Sequence, residues 1–208
     1  MNRKDNIVIL ANGIFPESPR GLDLLRSAGL LICCDGAADK LVDFGMAPHL
    51  IIGDMDSVSH GTREQYASIT ISSPGQDSND LTKAIRYCMD QGYLTVTILG
   101  ATGLREDHTL GNISLMLEYS RYMEIRIISD FGIFSPVRSG EIVESYRGEK
   151  VSVFSIDNRT LVTSLGLKYP LKELQLSNWY TATLNESVAD RFSLQFDSEL
   201  PLIIYRAW

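Results

Sequence analysis

Cysteine is scarce in this chain, since only three of the 208 residues are cysteines. Their number and spacing exclude a disulfide framework and a structural zinc site. The chain also lacks an excess of basic residues, because 26 acidic side chains outnumber 19 basic ones and give a net charge of −7. That balance argues against nucleic acid as a partner, since a broad nucleic-acid-binding surface needs a basic stripe. It does not exclude a local cationic pocket for a small anion.

Long hydrophobic runs are missing as well. No stretch approaches the ~18 apolar residues that a membrane-spanning helix requires. The basic start Met1-Asn2-Arg3-Lys4 is followed only by a short apolar run, residues 7–11, which is too short for a signal peptide. We therefore expect a cytoplasmic protein with no membrane partner.

Short apolar, β-branched runs alternate with helical segments over the first 130 residues. The strand-like runs are residues 7–10, 30–34, 50–52, 69–71, 94–99 and 125–128. The clearest helical stripe extends from Leu81 to Met89 with apolar residues at i, i+3, i+4, i+7 and i+8, and Gly92 follows where a helix ends. Further helices are predicted over residues 37–42 and from about Asp107. This alternation predicts an α/β domain with a parallel sheet buried on both faces.

The pattern changes after about residue 131. Glycine and proline now separate short runs with no helical stripe, namely residues 150–156, 160–164, 192–196 and 202–205. Evenly spaced short strands of this kind predict an antiparallel β-sandwich or a small barrel. We therefore divide the chain into an α/β domain, residues 1–130, and a β domain, residues 131–208.

Acidic residues follow several of the predicted strands of the α/β half. They are Asp35, Asp54, Asp56, Asp77, Asp80 and Asp107. The carboxyl ends of parallel strands form one rim where ligands bind, and carboxylates gathered there repel one another unless a cation compensates. Asp54 and Asp56 project to the same side of an extended segment and can share a divalent metal. Oxygen ligands without nearby histidine or cysteine favour Mg²⁺, which usually bridges to phosphates.

Two further segments suit phosphate binding. Asp77 and Asp80 open the best helix of the chain, and a helix cap uses only one side chain, so one carboxylate is left to reach the rim. Lys83, one turn into that helix, offers a positive charge to a phosphate. The glycine-containing loop 100–108 joins a strand end to a helix start, where backbone N–H groups meet anions. In that loop, Arg105 can bind a phosphate through two parallel hydrogen bonds. Asp107 adds a carboxylate close to the group that must lose a proton.

Four segments together resemble the thiamine pyrophosphokinase family. They are Cys34-Asp35-Gly36-Ala37-Ala38, Gly53-Asp54-Met55-Asp56-Ser57, Gln76-Asp77-Ser78-Asn79-Asp80-Leu81-Thr82-Lys83 and Gly103-Leu104-Arg105-Glu106-Asp107-His108. The resemblance covers nearly the whole chain. It implies a Rossmann-like, ATP- and Mg²⁺-binding catalytic domain, a β-sandwich that binds thiamine, and a homodimer with active sites at the subunit interface. The implied reaction transfers the pyrophosphoryl group of ATP to thiamine, giving thiamine diphosphate and AMP.

The resemblance also implies roles for individual residues. Mg²⁺ ligands are implied at Asp54, Asp56 and Asp80, and nucleotide-binding residues at Asp35, Gln76, Asp77, Lys83 and Arg105. The residues implied in catalysis are Asp107, Arg105, Asp54 and Asp56, with Asp107 beside the reacting hydroxyl as a base or as a further metal ligand. Thiamine contacts are implied at Tyr169, Thr183 and Asn185. Leu184 departs from the serine that the family has before Asn185.

Three alternatives stay open at this point. A related pyrophosphokinase could use a pterin as its acceptor, although the residues around Tyr169 and Asn185 would then have no reason to match. A nucleotide-binding module without catalysis predicts a damaged metal site, whereas the carboxylates are all present. Within the thiamine reading, Trp179 is an alternative to Tyr169 for stacking on the acceptor, although a tryptophan of a sandwich is more commonly buried.

Overall fold

The computed structural model describes residues 6–73, 75 and 78–208. Gln76 and Asp77, both predicted nucleotide-binding residues, lie outside the described residues. The chain divides into two compact units, Met1–Asp130 and Phe131–Trp208. Among the described residues, no helix is both long enough and apolar enough to cross a membrane.

The first unit is built on a parallel sheet. Its strands are β1 (Ile7–Leu10), β2 (Leu30–Cys34), β3 (Leu50–Gly53), β4 (Thr70–Ser72), β5 (Thr95–Leu99) and β6 (Glu124–Ser129). They lie in the order β6-β5-β1-β2-β3-β4, and each adjacent pair is parallel. From β1 the sheet continues through β2, β3 and β4 on one side and through β5 and β6 on the other. The order in which strands are added therefore reverses between β1 and β5, and open α/β sheets bind ligands at such a point.

Among the described residues, five α-helices connect these strands, and a 3-10 helix (Ala67–Ile69) precedes β4. The α-helices are α1 (Pro19–Ser27), α2 (Ala37–Asp43), α3 (His60–Gln65), α4 (Asp80–Asp90) and α5 (Glu106–Tyr119). The Asn79 side chain caps α4 by accepting a hydrogen bond from the Thr82 N–H at 2.9 Å. The left-handed φ of Gly92, +75°, follows the end of that helix, as the sequence predicts.

Helices α1 and α3 were not predicted. Each buries very little: only Gly21 and Leu25 in α1, and only Thr62 in α3. In α1 the apolar stripe is short, with Leu22 and Leu25 at i, i+3, and α3 has no large apolar residue, so the periodic signal of a surface helix is weak or absent. Their N-caps, Ser18 and Ser59, are the remaining local signal, because both side chains accept a hydrogen bond from the first turn.

The second unit contains only β-strands as regular structure among its residues. They are β7 (Gly132–Val137), β8 (Ile142–Glu144), β9 (Lys150–Phe154), β10 (Leu161–Leu165), β11 (Leu174–Gln175), β12 (Ala182–Glu186), β13 (Arg191–Phe196) and β14 (Leu202–Ala207). One antiparallel layer has the order β12-β9-β14-β7, and the other has the order β11-β10-β13-β8. Alternate residues of the two layers, such as Val153, Val162 and Leu194, form a shared apolar core. The predicted α/β-plus-sandwich fold class is therefore confirmed.

Candidate active site

Three carboxylates meet at the carboxyl ends of β2 and β3. Asp35, Asp54 and Asp56 each have an oxygen within 4.8 Å of the other two. Because β2 and β3 are adjacent and parallel, the residues that follow them reach the same rim. This acidic cluster has the all-oxygen donor set of a site for a hard divalent cation.

Asp35 is the most constrained member of the acidic cluster. It is 3% exposed and has a left-handed φ of +44°, which is uncommon for a residue with a side chain. Its Oδ2 accepts a hydrogen bond from the Ser57 N–H at 3.1 Å, but its buried Oδ1 has no hydrogen-bond partner. Burial raises the pKa of the Asp35 carboxyl, and the nearby Asp56 and Asp80 carboxylates raise it further. A bound cation would satisfy the unpaired oxygen and stabilise the charged form.

Asp54 and Asp56 flank a second left-handed residue, Met55, whose φ is +68°. Met55 is buried, so the turn directs the apolar side chain inward and leaves the two carboxylates at the rim. The Ser57 hydroxyl donates a hydrogen bond to Asp56 Oδ1 at 2.9 Å. This bond, followed by one to Asp35, lowers the pKa of Asp56.

Glycine at position 53 allows a fourth carboxylate to approach. A Cβ at Gly53 would lie 2.8 Å from the Asp35 Cβ and 3.2 Å from the Asp80 Cγ, which is too close for any side chain. Asp80, at the start of α4, is thereby brought beside Asp35. Its Oδ1 accepts a hydrogen bond from the Lys83 Nζ at 2.9 Å. The Lys83 side chain is 8% exposed and the Asp80 side chain 26% exposed, so this ion pair is partly shielded from water.

These carboxylates form one wall of the main cleft, which we define as the space above the ends of β1, β2, β3 and β5. It encloses about 340 Å³. Arg105, His108 and Asn112 of the loop before α5 and of α5 itself lie in the opposite wall. The Asn112 amide donates a hydrogen bond to the Ala101 carbonyl at 2.8 Å and accepts one from Asn79 at 3.3 Å. The two walls are thus linked through side-chain amides.

Arg105 and Asp107 form a two-point ion pair at the start of α5. Arg105 Nε donates to Asp107 Oδ1 at 3.1 Å, and Arg105 Nη2 donates to the other oxygen at 2.5 Å. This pairing, with help from the His108 N–H, lowers the pKa of Asp107 to about 2. Both side chains are exposed. Of the pair, Arg105 is the one among the described lining residues of the main cleft.

The predicted thiamine contacts lie in the second unit. Tyr169 is 59% exposed, and the Lys168 ammonium lies 5.8 Å from the centroid of its ring. Asn185 is buried, and both ends of its amide are hydrogen-bonded: Oδ1 accepts from the N–H groups of Tyr169 at 3.1 Å and Glu186 at 2.9 Å, while Nδ2 donates to the Tyr169 carbonyl at 2.7 Å. Asn185 therefore fixes the backbone that carries Tyr169. The Thr183 hydroxyl donates to the Tyr180 carbonyl at 2.9 Å.

Two neighbouring residues differ from expectation. Trp179 is 41% exposed, with its ring edge-on to Phe154 at 6.1 Å between centroids, so the expectation of a buried tryptophan is wrong. Leu184 is exposed and has a left-handed φ of +59°, at the point where the pairing of β12 with β9 shifts register. The bulge turns this apolar side chain to solvent, where the sequence pattern of a regular strand would not predict it.

The predicted residues of the first unit fall into two groups. Asp35, Asp54, Asp56, Asp80 and Arg105 line the main cleft together. Lys83 and Asp107 are outside the described lining and are held by Asp80 and Arg105, respectively.

Sequence reasoning missed two amide side chains of the main cleft. These are Asn12, two residues after the end of β1, and Asn112, which is buried within α5. The available signal was a polar residue at a core-facing helical position for Asn112, and a polar residue at a strand end for Asn12. Neither has the charge that drew attention to the acids.

Two family models match consecutive parts of the chain. Residues 22–128 match the catalytic domain of thiamin pyrophosphokinase, and residues 132–205 match its substrate-binding domain. The chain belongs to the thiamin pyrophosphokinase family. The resemblance stated from the sequence is thereby confirmed.

Individual thiamin pyrophosphokinases agree with this assignment. Thiamin pyrophosphokinase 1 of Caenorhabditis elegans is 26% identical over 199 residues, which span 88% of this chain and 82% of the relative. The thiamine pyrophosphokinase of Bacillus subtilis is 28% identical over 185 residues, spanning 84% of this chain and 86% of the relative.

Solved structures show the same fold. The crystal structure of thiamine pyrophosphokinase from Bacillus subtilis superposes with a TM-score of 0.80 at 24% identity, covering 97% of this chain and 98% of that one. The thiamin pyrophosphokinase structure from Candida albicans gives a TM-score of 0.81 at 17% identity, covering 99% and 90%.

Proposed function

We propose that this protein transfers the pyrophosphoryl group of ATP to the hydroxyethyl oxygen of thiamine, yielding thiamine diphosphate and AMP. The matches to both the catalytic and the substrate-binding domain of the family carry this proposal. The match over residues 132–205 supports thiamine over a pterin as the acceptor. The intact acidic cluster supports catalysis over simple nucleotide storage.

Mg²⁺ is the metal we assign to the acidic cluster. Asp54, Asp56 and Asp80 would hold it, as the sequence suggests, and we add Asp35 because its buried Oδ1 has no other partner. A bound Mg²⁺ supplies charge neutralisation for phosphate oxygens and orients them. The left-handed turns at Asp35 and Met55 support a metal-binding role, since backbone strain of this kind concentrates at functional sites.

Arg105 is assigned to the phosphates. In the transfer, the alcohol oxygen forms a bond to the β-phosphorus while the bond from that phosphorus to the α-phosphate oxygen breaks, and AMP leaves. The protein's part is positioning and charge stabilisation. Arg105 offers a planar pair of donors that fits phosphate oxygens as well as it fits Asp107. Its exposed side chain is free to turn into the main cleft.

Asp107 is assigned as the acceptor of the alcohol proton. While it is paired with Arg105, its pKa of about 2 makes it a poor base. When Arg105 turns to the phosphates, the largest cause of that depression is removed, and the pKa of Asp107 returns toward its ordinary 3.8. Nucleotide binding would thereby raise the basicity of Asp107 at the moment it is needed.

Acceptor binding is assigned to the second unit. Tyr169 supplies an exposed aromatic face for a cationic thiazolium ring, to which such faces are attracted. Asn185 is assigned as a positioning residue that holds the Tyr169 backbone, and Thr183 as a hydroxyl beside it. We further propose a cytoplasmic homodimer with active sites at the subunit interface. Sedimentation at micromolar concentration would test the dimer.

One assay tests the reaction. The protein is incubated with ATP, Mg²⁺ and thiamine, and products are separated by ion-exchange chromatography. We expect AMP and thiamine diphosphate in equal amounts, and none without Mg²⁺. Release of ADP, or transfer to a hydroxymethyl pterin in preference to thiamine, would contradict the proposal.

A further inference from the structure

One buried side chain at the main cleft, that of Asn112, has no part in the proposed reaction so far. It lies in the second turn of α5 and is 8% exposed. A polar side chain at a buried helical position costs stability unless hydrogen bonds satisfy it. Those bonds go to two different elements: Nδ2 donates to the Ala101 carbonyl after β5 at 2.8 Å, and Oδ1 accepts from Asn79 Nδ2 before α4 at 3.3 Å.

The hydrogen bonds around Asn112 run in a fixed direction through Ala101, Asn112, Asn79 and Thr82, which we call the amide relay. At one end the Ala101 carbonyl can only accept, so it faces Asn112 Nδ2. At the other end the Thr82 N–H can only donate, so it faces Asn79 Oδ1, at 2.9 Å. The two groups that remain, Asn112 Oδ1 and Asn79 Nδ2, are complementary and bond to each other. The position of Asn112 therefore needs a side chain with both a donor and an acceptor.

Each end of the amide relay leads to a part of the proposed catalytic machinery. At one end, Asn79 caps α4 and is followed directly by Asp80, which we assign to the metal. At the other end, Ala101 begins the loop that leads to Arg105, which we assign to the phosphates. The amide relay is thus a side-chain connection between the metal-binding wall of the main cleft and the loop that carries its arginine.

The conformation of that loop, residues 100–105, depends on side chains of α5. Gly100 and Gly103 have left-handed φ values of +64° and +97°, which glycine adopts without strain but at a cost in backbone entropy. Contacts elsewhere must therefore fix the loop. Thr109 supplies two, because its hydroxyl accepts from the Gly103 N–H at 3.3 Å and donates to the Arg105 carbonyl at 3.2 Å. Asn112, three residues further along α5, adds a third and extends the connection to α4.

We propose that Asn112 is a positioning residue that sets the placement of the Arg105 loop relative to the metal-bearing start of α4. This inference rests on the proposed function, because it takes the metal and Arg105 as the groups that hold the polyphosphate. Positioning is the protein's main task in phosphoryl transfer, and a misplacement of about 1 Å costs about 100-fold in rate. Since the metal and Arg105 act on one polyphosphate, an error in their separation reaches the bond that breaks.

Binding of inorganic pyrophosphate in the presence of Mg²⁺ tests this role without turnover. Calorimetry on the full chain would compare wild type, Arg105→Ala, Asn112→Leu and the double variant. In wild type, Arg105→Ala should weaken binding about tenfold, the size of a lost charge-assisted hydrogen bond. In the Asn112→Leu background it should weaken binding by less than about twofold, because the arginine no longer meets the metal-bound pyrophosphate. Equal effects in both backgrounds, or no effect in wild type, would overturn the inference.

Asn79→Ser interrupts the amide relay from its other side and keeps the helix cap. A serine hydroxyl caps a helix about as well as asparagine does, but it has no amide to reach Asn112. The kcat for pyrophosphoryl transfer should fall roughly 10- to 100-fold in Asn79→Ser and in Asn112→Leu, with the KM for thiamine unchanged. Because both substitutions remove the same bond, the double variant should be about as slow as Asn112→Leu alone. Losses that multiply in the double variant would contradict the proposal.

Thr97→Val is the matched control for lost stability. Thr97 is buried in β5 of the same unit, accepts a hydrogen bond from Arg126 Nε at 2.9 Å, and is not among the described residues that line the main cleft. Valine keeps its shape and removes one buried hydrogen bond, so the melting temperature should fall while kcat and pyrophosphate binding stay at wild-type values. A loss of kcat equal to that of Asn112→Leu would assign both effects to stability and overturn the inference.

The inference and the proposed function fail differently. If pyrophosphate binding shows the expected dependence of Arg105 on Asn112 but thiamine is not pyrophosphorylated, the proposed function falls and the positioning role stands. If thiamine is pyrophosphorylated equally fast by wild type and Asn112→Leu, the positioning role falls and the proposed function stands.

Discussion

Replacing Asp35 by asparagine should make the protein more stable and less active. Asp35 Oδ1 is a buried acceptor without a partner, and such a group costs about 1–3 kcal/mol. In Asp35→Asn the shape is kept, the buried charge is removed, and the amide can donate to Asp56. Asparagine also tolerates the left-handed φ of +44° at this position. For a chain of this size, the gain corresponds to a melting temperature roughly 2–12 °C higher.

Mg²⁺ should reverse the order of the melting temperatures of wild type and Asp35→Asn. A ligand that binds only the folded state raises the melting temperature by mass action, so Mg²⁺ should stabilise the wild type. Asp35→Asn loses a charged ligand and should show a smaller shift with Mg²⁺, together with a loss of pyrophosphoryl transfer of about 100-fold. Thermal unfolding with and without Mg²⁺, followed by circular dichroism, measures the shift, and AMP release in the presence of ATP, Mg²⁺ and thiamine measures the transfer.

Asp39, four residues further on, provides the matched comparison. Burial acts to raise the pKa of Asp39, but the Ser59 hydroxyl, the Thr62 hydroxyl and the Ser59 N–H together outweigh it and lower that pKa. Asp39→Asn should therefore lower the melting temperature and leave the Mg²⁺ shift intact. The reasoning is refuted if Asp35→Asn melts below wild type without Mg²⁺, or if Mg²⁺ shifts its melting temperature as much as that of wild type.

Three further predictions address catalysis, the acceptor and acid stability. Asp54→Ala should abolish turnover with unchanged circular dichroism, and full activity would remove Asp54 from the metal site. Tyr169→Ala and Asn185→Ala should each raise the KM for thiamine several-fold before that for ATP, and a selective effect on ATP would contradict the acceptor assignment. Asp130 accepts the N–H groups of Glu17 and Ser18; burial raises its pKa, but these bonds outweigh burial and lower it from 3.8. The stabilisation by the Asp130 carboxylate is thus complete above pH 3.8 and is lost as the pH falls toward the lowered pKa. Asp130→Asn should therefore melt below wild type at pH 7, and this difference in melting temperature should shrink below pH 3.8. A difference that stays constant with pH would contradict the prediction.

The hydrophobic pattern of the sequence was sufficient to predict the helices and strands that bury an apolar face. The stripe from Leu81 to Met89 predicts α4, and β1 is predicted because all four of its residues are apolar and buried. It failed for α1 and α3, which contribute little to the core, and for β7, which contains Pro136 within an antiparallel pairing with Ile203 of β14. Proline argues against a strand in general but is accepted where its missing N–H is not needed.

The order of the acidic residues along the chain was by itself enough to indicate a rim of carboxylates, a hard cation and a phosphate-transferring family. That is so because each acid follows a strand, and the ends of parallel strands must meet. Tertiary structure alone decided the groupings: Asp35 with Asp54 and Asp56, Lys83 with Asp80, and Arg105 with Asp107. These pairings depend on two left-handed turns and on the close approach that Gly53 permits, which are properties of the packed backbone that no residue spacing contains.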